Sequence, residues 1–300
     1  MPRSHPFLRA FAVLLWLPGI AAAQPLDVVG WNTESGDADP AVIAQTLRDT
    51  GGIDIWGLSE VLAQWEDGFR GAAAEASGRR FESVLGTTGG ADRLLVLYDA
   101  ERFHEVRHFE LHHINYQRRV RSPLVVELRD RESDLAFLFM VNHLYRSRAD
   151  QRLVQSQQLR EWAANERLPV IAVGDYNYDW HFRNGDADHD PGYDELVAGG
   201  VFSWVRPAAL IPTQCSRYES VLDFVFAGGA ARAWRPESRI LEARDDYCPD
   251  DGERSDHRPV YATFDTDHGH RIALRDESLE RLDVIEDELH VLRELVERFD

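Results

Sequence analysis

Residues 168–177, with the sequence LPVIAVGDYN, constrain the fold of this chain more than any other segment. A continuous run of Val, Ile and Ala after a proline is typical of a strand that is buried on both faces. We expect Gly174 to end the run with a sharp turn, so that Asp175 and Asn177 project together from the end of the strand. The alternative is a strand followed by an Asx turn without a chemical role. The remaining strands decide between these interpretations.

The length and composition of the chain permit one large domain. Its 300 residues are 44% hydrophobic, which is enough to bury a sizeable core, and no internal boundary is evident before about residue 266. Strand patterns alternate with helix patterns in the first half, and strand patterns dominate later. This order predicts a layered α/β sandwich with mixed sheets.

The first 23 residues have the pattern of a cleaved secretory signal. Arg3 and Arg9 flank a charged region, residues 10–20 are apolar, and three alanines precede Gln24. The apolar stretch is too short to span a membrane, and a buried amphipathic helix is the alternative. We therefore expect a mature chain that begins near residue 24, is secreted or periplasmic, and has no membrane span.

The charge of the chain argues against a protein that holds duplex DNA tightly. The formal net charge is −19, and loss of Arg3 and Arg9 with the signal would make it −21. Tight binding of duplex DNA normally depends on Lys and Arg that replace condensed counterions. An enzyme that holds a single phosphate locally through a metal ion is not excluded by this charge.

Two cysteines, Cys215 and Cys248, predict one disulfide in an exported chain. Each precedes a segment that carries a candidate site residue, Asp223 or Asp256. Two free thiols are the alternative.

Polar side chains end the first two predicted strands. Residues 26–32 form a strand that ends at Asn32, and residues 53–60 form a strand that ends at Glu60. Between them, Asp39 and Pro40 supply the N-cap and first turn of a helix. A parallel strand, helix, strand unit places both strand ends at one edge of the sheet, so we expect Asn32 and Glu60 to converge.

Three later segments repeat this arrangement. The apolar segment 135–143 ends at His143, Asp223 lies in the middle of a predicted strand, and Asp256 and His257 open the last strand. A buried Asp or His taken singly usually has only a structural hydrogen-bond partner. Between these strands, residues 149–166 predict a helix with Leu153, Leu159 and Trp162 as its buried positions.

Other groups of polar residues carry weaker signals. His112 and His113 lie in a segment interpreted as a strand, where neighbours point to opposite faces and cannot easily share one metal ion. Residues 186–190 are similar to the start of a calcium loop, but Pro191 stands where the turn glycine belongs, so an acidic surface loop is expected. The basic cluster 117–121 either contacts a substrate phosphate or is a solvated lead into a strand.

Taken together, these motifs resemble the endonuclease/exonuclease/phosphatase superfamily over about residues 26–264. The residues that match it in order are Asn32, Glu60, His143, Gly174-Asp175-Tyr176-Asn177, Leu222-Asp223-Phe224 and Ser255-Asp256-His257. Members include deoxyribonuclease I, exonuclease III, neutral sphingomyelinases and inositol polyphosphate phosphatases. The resemblance implies a metal-dependent phosphoesterase on a four-layer α/β sandwich with two mixed β-sheets.

The chain departs from the superfamily pattern at two places. Ser59 precedes Glu60 where the superfamily often has glutamine, and the loop over residues 178–193 is long and acidic. These departures affect the expected substrate and leave the expected reaction type unchanged.

The resemblance, with the chemistry of phosphate ester hydrolysis, suggests a role for each matching residue. Glu60, Asn32 and Asp256 are expected to hold Mg²⁺ or Mn²⁺, with Ca²⁺ as an alternative. Asp175 is expected to take a proton from the attacking water, and Asn177 to hold a phosphate oxygen or to orient that acid.

Two imidazoles complete the expected site. Asp223 is expected to fix the tautomer of His257 and to keep it protonated toward the phosphate. His143 is expected to hydrogen-bond the phosphate or to protonate the leaving group.

These inferences favour an exported metal-dependent phosphodiesterase, with a nuclease as the preferred member. A phosphodiesterase acting on phospholipid, as sphingomyelinases do, or a phosphomonoesterase on the same fold is the first alternative. The second alternative is a non-catalytic binding module, which the cost of burying unneeded acids disfavours.

The C-terminal segment, residues 267–300, lies beyond the predicted catalytic domain of residues 24–266. Apolar residues follow one another there at spacings of three and four, which predicts an amphipathic or coiled-coil helix. The series is Leu282, Ile285, Leu289, Leu292, Val296 and Phe299. Either this helix packs on its own domain, or it joins copies of the chain into a dimer or higher oligomer.

Overall fold

Two β-sheets, five α-helices and several short 3₁₀-helices make up the part of the chain that this computed structural model describes, residues 24–118, 120–215 and 219–297. The strands are β1 (Leu26–Asn32), β2 (Ile55–Val61), β3 (Phe81–Leu85), β4 (Arg93–Asp99), β5 (Phe103–Glu110), β6 (Leu124–Asp130), β7 (Ala136–His143), β8 (Val170–Trp180), β9 (Phe202–Trp204), β10 (Val221–Gly228), β11 (Glu237–Ile240) and β12 (Val260–Phe264). The α-helices are α1 (Pro40–Asp49), α2 (Glu66–Ser77), α3 (Ala149–Ala164), α4 (Pro191–Val197) and α5 (Thr266–Glu297). The predicted signal segment and Phe299 lie outside the described residues.

Each sheet has six strands and is mixed. The first has the order β11-β12-β1-β2-β4-β3 and the second the order β5-β6-β7-β8-β10-β9. Pairs β1–β2 and β7–β8 are parallel, and the other pairs are antiparallel. A buried apolar cluster with side chains from both sheets fills the space between them. A Cβ on Gly57 would lie 2.4 Å from Cγ2 of Val173, so the sheets approach closely at this point.

Helices cover the outer face of each sheet. Ile43 and Leu47 of α1 and Phe69 of α2 are buried with Trp31 and Trp56 on the outer face of the first sheet. Helices α3 and α4 cover the second sheet in the same way through a separate apolar cluster. The four layers confirm the predicted α/β sandwich with two mixed sheets.

The prediction that Gly174 ends its strand is wrong. Strand β8 continues through Gly174 to Trp180, and Gly174 has a φ of +133°. A Cβ there would lie 2.0 Å from the carbonyl oxygen of Asn142, so glycine allows β7 and β8 to pair closely. As a result, Asp175 lies within the sheet, with His143 of β7 on one side and Asp223 of β10 on the other.

The buried face of α3 is more polar than predicted. Leu159 is buried as expected, but Leu153 is 37% exposed. Arg152 and Gln155 are buried instead, and both bind backbone atoms of the loop that follows β7. The helix therefore holds this loop through polar contacts, which hydrophobic periodicity does not reveal.

His112 and His113 lie in a 3₁₀-helix and not in a strand as the sequence suggested. Nδ1 of His112 is 3.1 Å from Oγ of Ser122, so this imidazole has a structural partner. Strand pairing ends before the two histidines, because β5 stops at Glu110.

Carboxylates of the acidic loop after β8 form ion pairs and a helix cap with other parts of the protein. Asp186 forms a bidentate ion pair with Arg206, and Asp190 caps α4 and pairs with Arg152. Residues 186–188 are exposed, as expected of a surface loop, whereas Asp190 is buried.

Cys215 and Cys248 form a disulfide, as the sequence predicts. It links two loops, separated by 33 residues, that precede β10 and β12.

Helix α5 packs against the sandwich at its start. A Cβ on Gly269 would lie 2.1 Å from Nε1 of Trp234, so the first turns pack tightly there. Farther along, Leu282, Ile285 and Leu289 are 48% to 54% exposed. None of the described helices is both long enough and apolar enough to cross a membrane.

Candidate active site

The predicted convergence of Asn32 and Glu60 is present at one edge of the first sheet. Asn32 lies opposite Ser59 in the parallel pair β1–β2. Its Nδ2 donates to Oε1 of Glu60 at 3.0 Å and to Oδ2 of Asp175 at 3.1 Å. One buried amide therefore joins a carboxylate of the first sheet to a carboxylate of the second.

The segment before β12 is hydrogen-bonded to the same edge of the first sheet. Oγ of Ser255 donates to the carbonyl oxygen of Asn32 at 2.6 Å and accepts from the backbone N–H of His257 at 3.0 Å. Nε1 of Trp31 donates to the carbonyl oxygen of His257 at 2.8 Å. These bonds place Asp256 and His257 beside Asn32, although more than 220 residues separate them in sequence.

His257 and Asp223 form a buried ion pair with Nδ1 and Oδ2 2.7 Å apart. Burial alone would lower the pKa of His257, but the charge and hydrogen bond of Asp223, together with Asp175 and Asp256, raise this pKa well above its ordinary value. Nε2 of His257 then lies 3.9 Å from Asp175 and 3.6 Å from Asp256. The predicted pairing is present, and it holds a charged imidazole toward the site.

Asp175 is buried at the centre of the site. Its Oδ1 accepts the backbone N–H of Asn177 at 2.9 Å. Burial raises the pKa of Asp175 to about 7, with further contributions from the charges of Asp223 and Glu60. A carboxyl group with this pKa exchanges a proton near neutral pH, as a general base requires.

His143 lies next to Asp175 and is uncharged. Nε2 of His143 is 3.5 Å from Oδ2 of Asp175, and its Nδ1, which has no hydrogen-bond partner among the described residues, is 3.7 Å from Oε1 of Glu60. Burial, then the charges of Arg121 and His257, lowers the pKa of His143 well below its ordinary value. Of its two predicted roles, a neutral imidazole suits hydrogen bonding to phosphate better than donation of a full proton.

The donor set fits a hard divalent cation. A cavity of about 60 Å³ lies among the site residues and is lined by the carboxylates of Glu34, Glu60, Asp175 and Asp256. Oxygen ligands without thiols suit Mg²⁺, Mn²⁺ or Ca²⁺. In this structure the amide of Asn32 donates to two of the acids, and its predicted role as a metal ligand stays a prediction.

A second group of side chains is less suited to a metal. One ligand atom from each of Asp175, Asp223 and His257 lies within 4.8 Å of the others. The oxygen of Asp223 that faces His257 is already hydrogen-bonded to its imidazole. That Glu60 and Asp256 hold the metal stays a prediction.

Sequence reasoning missed Glu34 and Gln214, which both hold Asp256. Oε2 of Glu34 accepts the backbone N–H of Asp256 at 2.7 Å, and Nε2 of Gln214 donates to its Oδ2 at 2.8 Å. Burial raises the pKa of Glu34 to about 7. The position of Glu34 two residues after Asn32 was an available signal, whereas no motif marks Gln214.

The structure brings one residue of the basic cluster 117–121 to the site. The guanidinium of Arg121 is mostly buried, binds the carbonyl oxygen of Asp92 at 2.9 Å and lies 4.0 Å from Oε1 of Glu60. Arg118 lines a separate pocket of about 470 Å³ beside it. Arg119 lies outside the described residues.

Known proteins resemble this chain in sequence pattern and in fold. The sequence model of the Endonuclease/Exonuclease/phosphatase family matches residues 29–257. A search of curated proteins found no match.

Solved structures share the fold at low sequence identity. An endonuclease/exonuclease/phosphatase family protein from Bacteroides thetaiotaomicron is 19% identical with a TM-score of 0.59, over 82% of this chain and 98% of that chain. The mannosyl-6-phosphatase Bt3783 of the same organism is 19% identical with a TM-score of 0.56, over 79% and 98%. The D. rerio protein TDP2, solved with a single-strand DNA product, is 14% identical with a TM-score of 0.63, over 81% and 99%.

Proposed function

This chain belongs to the endonuclease/exonuclease/phosphatase family of phosphoesterases, and on that premise we propose that it is an exported, metal-dependent phosphodiesterase, with a nuclease as the favoured member. The observation that carries the proposal is the position of Asp175. It lies beside His143 and Asp223 in neighbouring strands and faces the cavity lined by acidic residues. A base, a charged imidazole and a set of oxygen ligands are the groups that hydrolysis of a phosphate ester requires.

In the proposed mechanism, the side chains of the site prepare the water and hold the phosphate. A divalent cation at Glu60 and Asp256 would neutralise phosphate oxygens and lower the pKa of bound water. Asp175 accepts the proton of the attacking water, and the backbone N–H of Asn177 fixes the orientation of its carboxyl group. The charged His257 stabilises negative charge that develops on the phosphate.

The remaining polar residues position these groups. Asn32 holds Glu60 and Asp175 at a fixed separation through its two hydrogen bonds. The neutral His143 donates a hydrogen bond to a phosphate oxygen, and the side chain of Asn177 binds another.

A pocket of about 420 Å³ with Arg146 in its lining lies beside the catalytic cavity. The second ester group of a phosphodiester can enter this pocket while the phosphate lies in the cavity. The net charge of −19 favours a single-stranded or small substrate over duplex DNA.

A panel of substrates tests this proposal. We expect bis(p-nitrophenyl) phosphate to be hydrolysed at least tenfold faster than p-nitrophenyl phosphate, and a single-stranded oligonucleotide faster than sphingomyelin vesicles. EDTA should lower the rate more than a hundredfold, and Mg²⁺ or Mn²⁺ should restore it, because the acids of the cavity repel the phosphate without a cation. Faster cleavage of the monoester, or full activity in EDTA, would contradict the proposal.

Export is part of the same proposal. The signal-like pattern of residues 1–23 and the disulfide between Cys215 and Cys248 both support a secreted or periplasmic protein.

We also propose that α5 joins copies of this chain through a parallel coiled coil. Its seam consists of the six apolar residues Leu282, Ile285, Leu289, Leu292, Val296 and Phe299. With Leu282 and Leu289 at heptad position a, the flanking positions are Arg281, Glu286, Glu288 and Arg293. In a parallel pair, Arg281 would face Glu286 of the second copy and Glu288 would face Arg293, so both contacts are attractive.

Light scattering on the mature protein tests this association. We expect a dimer or higher oligomer, and we expect the double variant L282E/L289E to be monomeric because it places like charges in the seam. The matched control is V284E/V291E, which changes residues that are as exposed but lie off the seam. A monomeric mature protein at high concentration, or a control variant that dissociates equally, would contradict the coiled coil.

A further inference from the structure

Gln214 donates a hydrogen bond to a carboxylate that is predicted to hold the metal ion. Its Nε2 lies 2.8 Å from Oδ2 of Asp256. Both side chains line the cavity of about 60 Å³ at the centre of the site, together with Glu60. Because a carboxylate only accepts hydrogen bonds, the amide turns its NH₂ group toward Asp256. One oxygen of this carboxylate is therefore already engaged by the protein.

The other oxygen of Asp256 is not engaged in this way. Among the described residues, none donates a hydrogen bond to Oδ1. The nearest charged nitrogen, Nε2 of His257, lies 3.6 Å away, which is beyond the usual length of a hydrogen bond. The contact with Gln214 thus makes the two oxygens of one carboxylate unequal, and it leaves Oδ1 as the oxygen that can bind a cation.

The backbone around Gln214 is held on both sides. Gln214 pairs with His257 in an isolated antiparallel bridge. The backbone N–H of Cys215 donates to the carbonyl oxygen of Asp256 at 2.7 Å, and its side chain is fixed by the disulfide to Cys248. Gln214 itself is only 9% exposed. The amide is therefore preorganised against Asp256, as a contact that orients a metal ligand must be.

Hard divalent cations differ in how they use carboxylates. Ca²⁺ takes about six to eight oxygen ligands and binds a carboxylate through one or both of its oxygens. Mg²⁺ demands octahedral geometry, keeps several waters and takes only one or two carboxylates, and Mn²⁺ shares the octahedral preference. A carboxylate that offers a single oxygen suits Mg²⁺ and Mn²⁺ better than Ca²⁺.

We infer that Gln214 is a positioning residue that makes Asp256 bind the cation through Oδ1 alone, and that it thereby sets a preference for Mg²⁺ or Mn²⁺ over Ca²⁺. Gln214 acts through Asp256 and has no role on the phosphate. The inference rests on the proposed metal-dependent function and names the residue that selects its cation.

Calorimetry of the metal-free mature protein with MnCl₂ and CaCl₂ tests the inference without turnover. Binding that disappears in D256N belongs to the site, and binding that remains belongs to the acidic surface. We expect the site to bind Mn²⁺ at least tenfold more tightly than Ca²⁺. Q214M keeps the size of the side chain but removes the donor, so Oδ2 becomes available. The ratio of the two affinities should then fall below threefold, through weaker binding of Mn²⁺ and tighter binding of Ca²⁺.

A second variant and a matched control accompany this measurement. Q214E has the same shape but replaces the donor with another carboxylate, so it should reverse the preference in favour of Ca²⁺. The control is Q45M, because Gln45 donates to Oδ1 of Asp49 at 2.9 Å on the exposed face of α1. Its loss should leave both affinities unchanged. Thermal unfolding of each variant establishes that only folded proteins are compared.

Two results would overturn the inference. One is a wild-type site that binds Ca²⁺ as tightly as Mn²⁺. The other is a folded Q214M protein that keeps the wild-type ratio, including a parallel loss of both affinities, as a purely structural role would give. Absence of any binding that depends on Asp256 would contradict the proposed metal dependence and this inference together. The expected change of ratio in a protein that hydrolyses no phosphoester would contradict the proposed function and leave this inference standing.

Discussion

Asp175→Asn is expected to lower kcat on a phosphodiester about a thousandfold, or about 4 kcal/mol of transition-state stabilisation. Asn has nearly the same volume as Asp and can still accept the hydrogen bond from the backbone N–H of Asn177. The change removes the group that accepts a proton, while the sheet around it stays packed. The loss should therefore be in kcat, with little change in KM.

The control for this variant is Asp194→Asn, which changes an exposed acid of α4 that pairs with His189. We expect this protein to be as active as the wild type. Circular dichroism and thermal unfolding of both variants establish that each is folded. A folded Asp175→Asn protein with activity within a few fold of the wild type would show that Asp175 is not the base.

The strand patterns predicted which site residues lie close together, because the pairing of two buried strands determines which residues at their ends are neighbours. Asn32 and Glu60 came together as the parallel crossover requires. The position of Asp175 in the site was predicted correctly, but the structural reason given for it was wrong. The sequence suggested a turn at Gly174, whereas the glycine admits the carbonyl oxygen of Asn142 and lets the strand continue.

The parts that could not be predicted depend on contacts between distant segments. Glu34 is a site residue because its carboxylate accepts the N–H of Asp256, which is more than 220 residues away. Arg152 and Gln155 are buried because they hold the loop after β7, so they break the apolar periodicity used to predict the face of α3. A pattern of hydrophobic residues carries no information on such polar contacts.

His257→Gln is expected to lower kcat by a similar factor of about a thousand, because it removes the charged group that faces the phosphate. Asp223→Asn should cost less, about ten- to a hundredfold, since it leaves the imidazole in place but removes its ionic partner. Exposed His113 supplies the control His113→Gln, which should retain full activity.

The pair should behave as one unit, which a double-mutant cycle measures. Because Asp223 acts through His257, the double variant Asp223→Asn/His257→Gln should be no slower than His257→Gln alone.

A spectroscopic signature separates this role of Asp223 from a purely structural one. The pKa of His257 is raised by Asp223 against the opposing effect of burial, so ¹⁵N NMR should show a charged imidazole in the wild type above pH 7 and a neutral one in Asp223→Asn. Additive losses in the cycle, together with an unchanged imidazole signal in Asp223→Asn, would mean that the ion pair does not set the charge of His257.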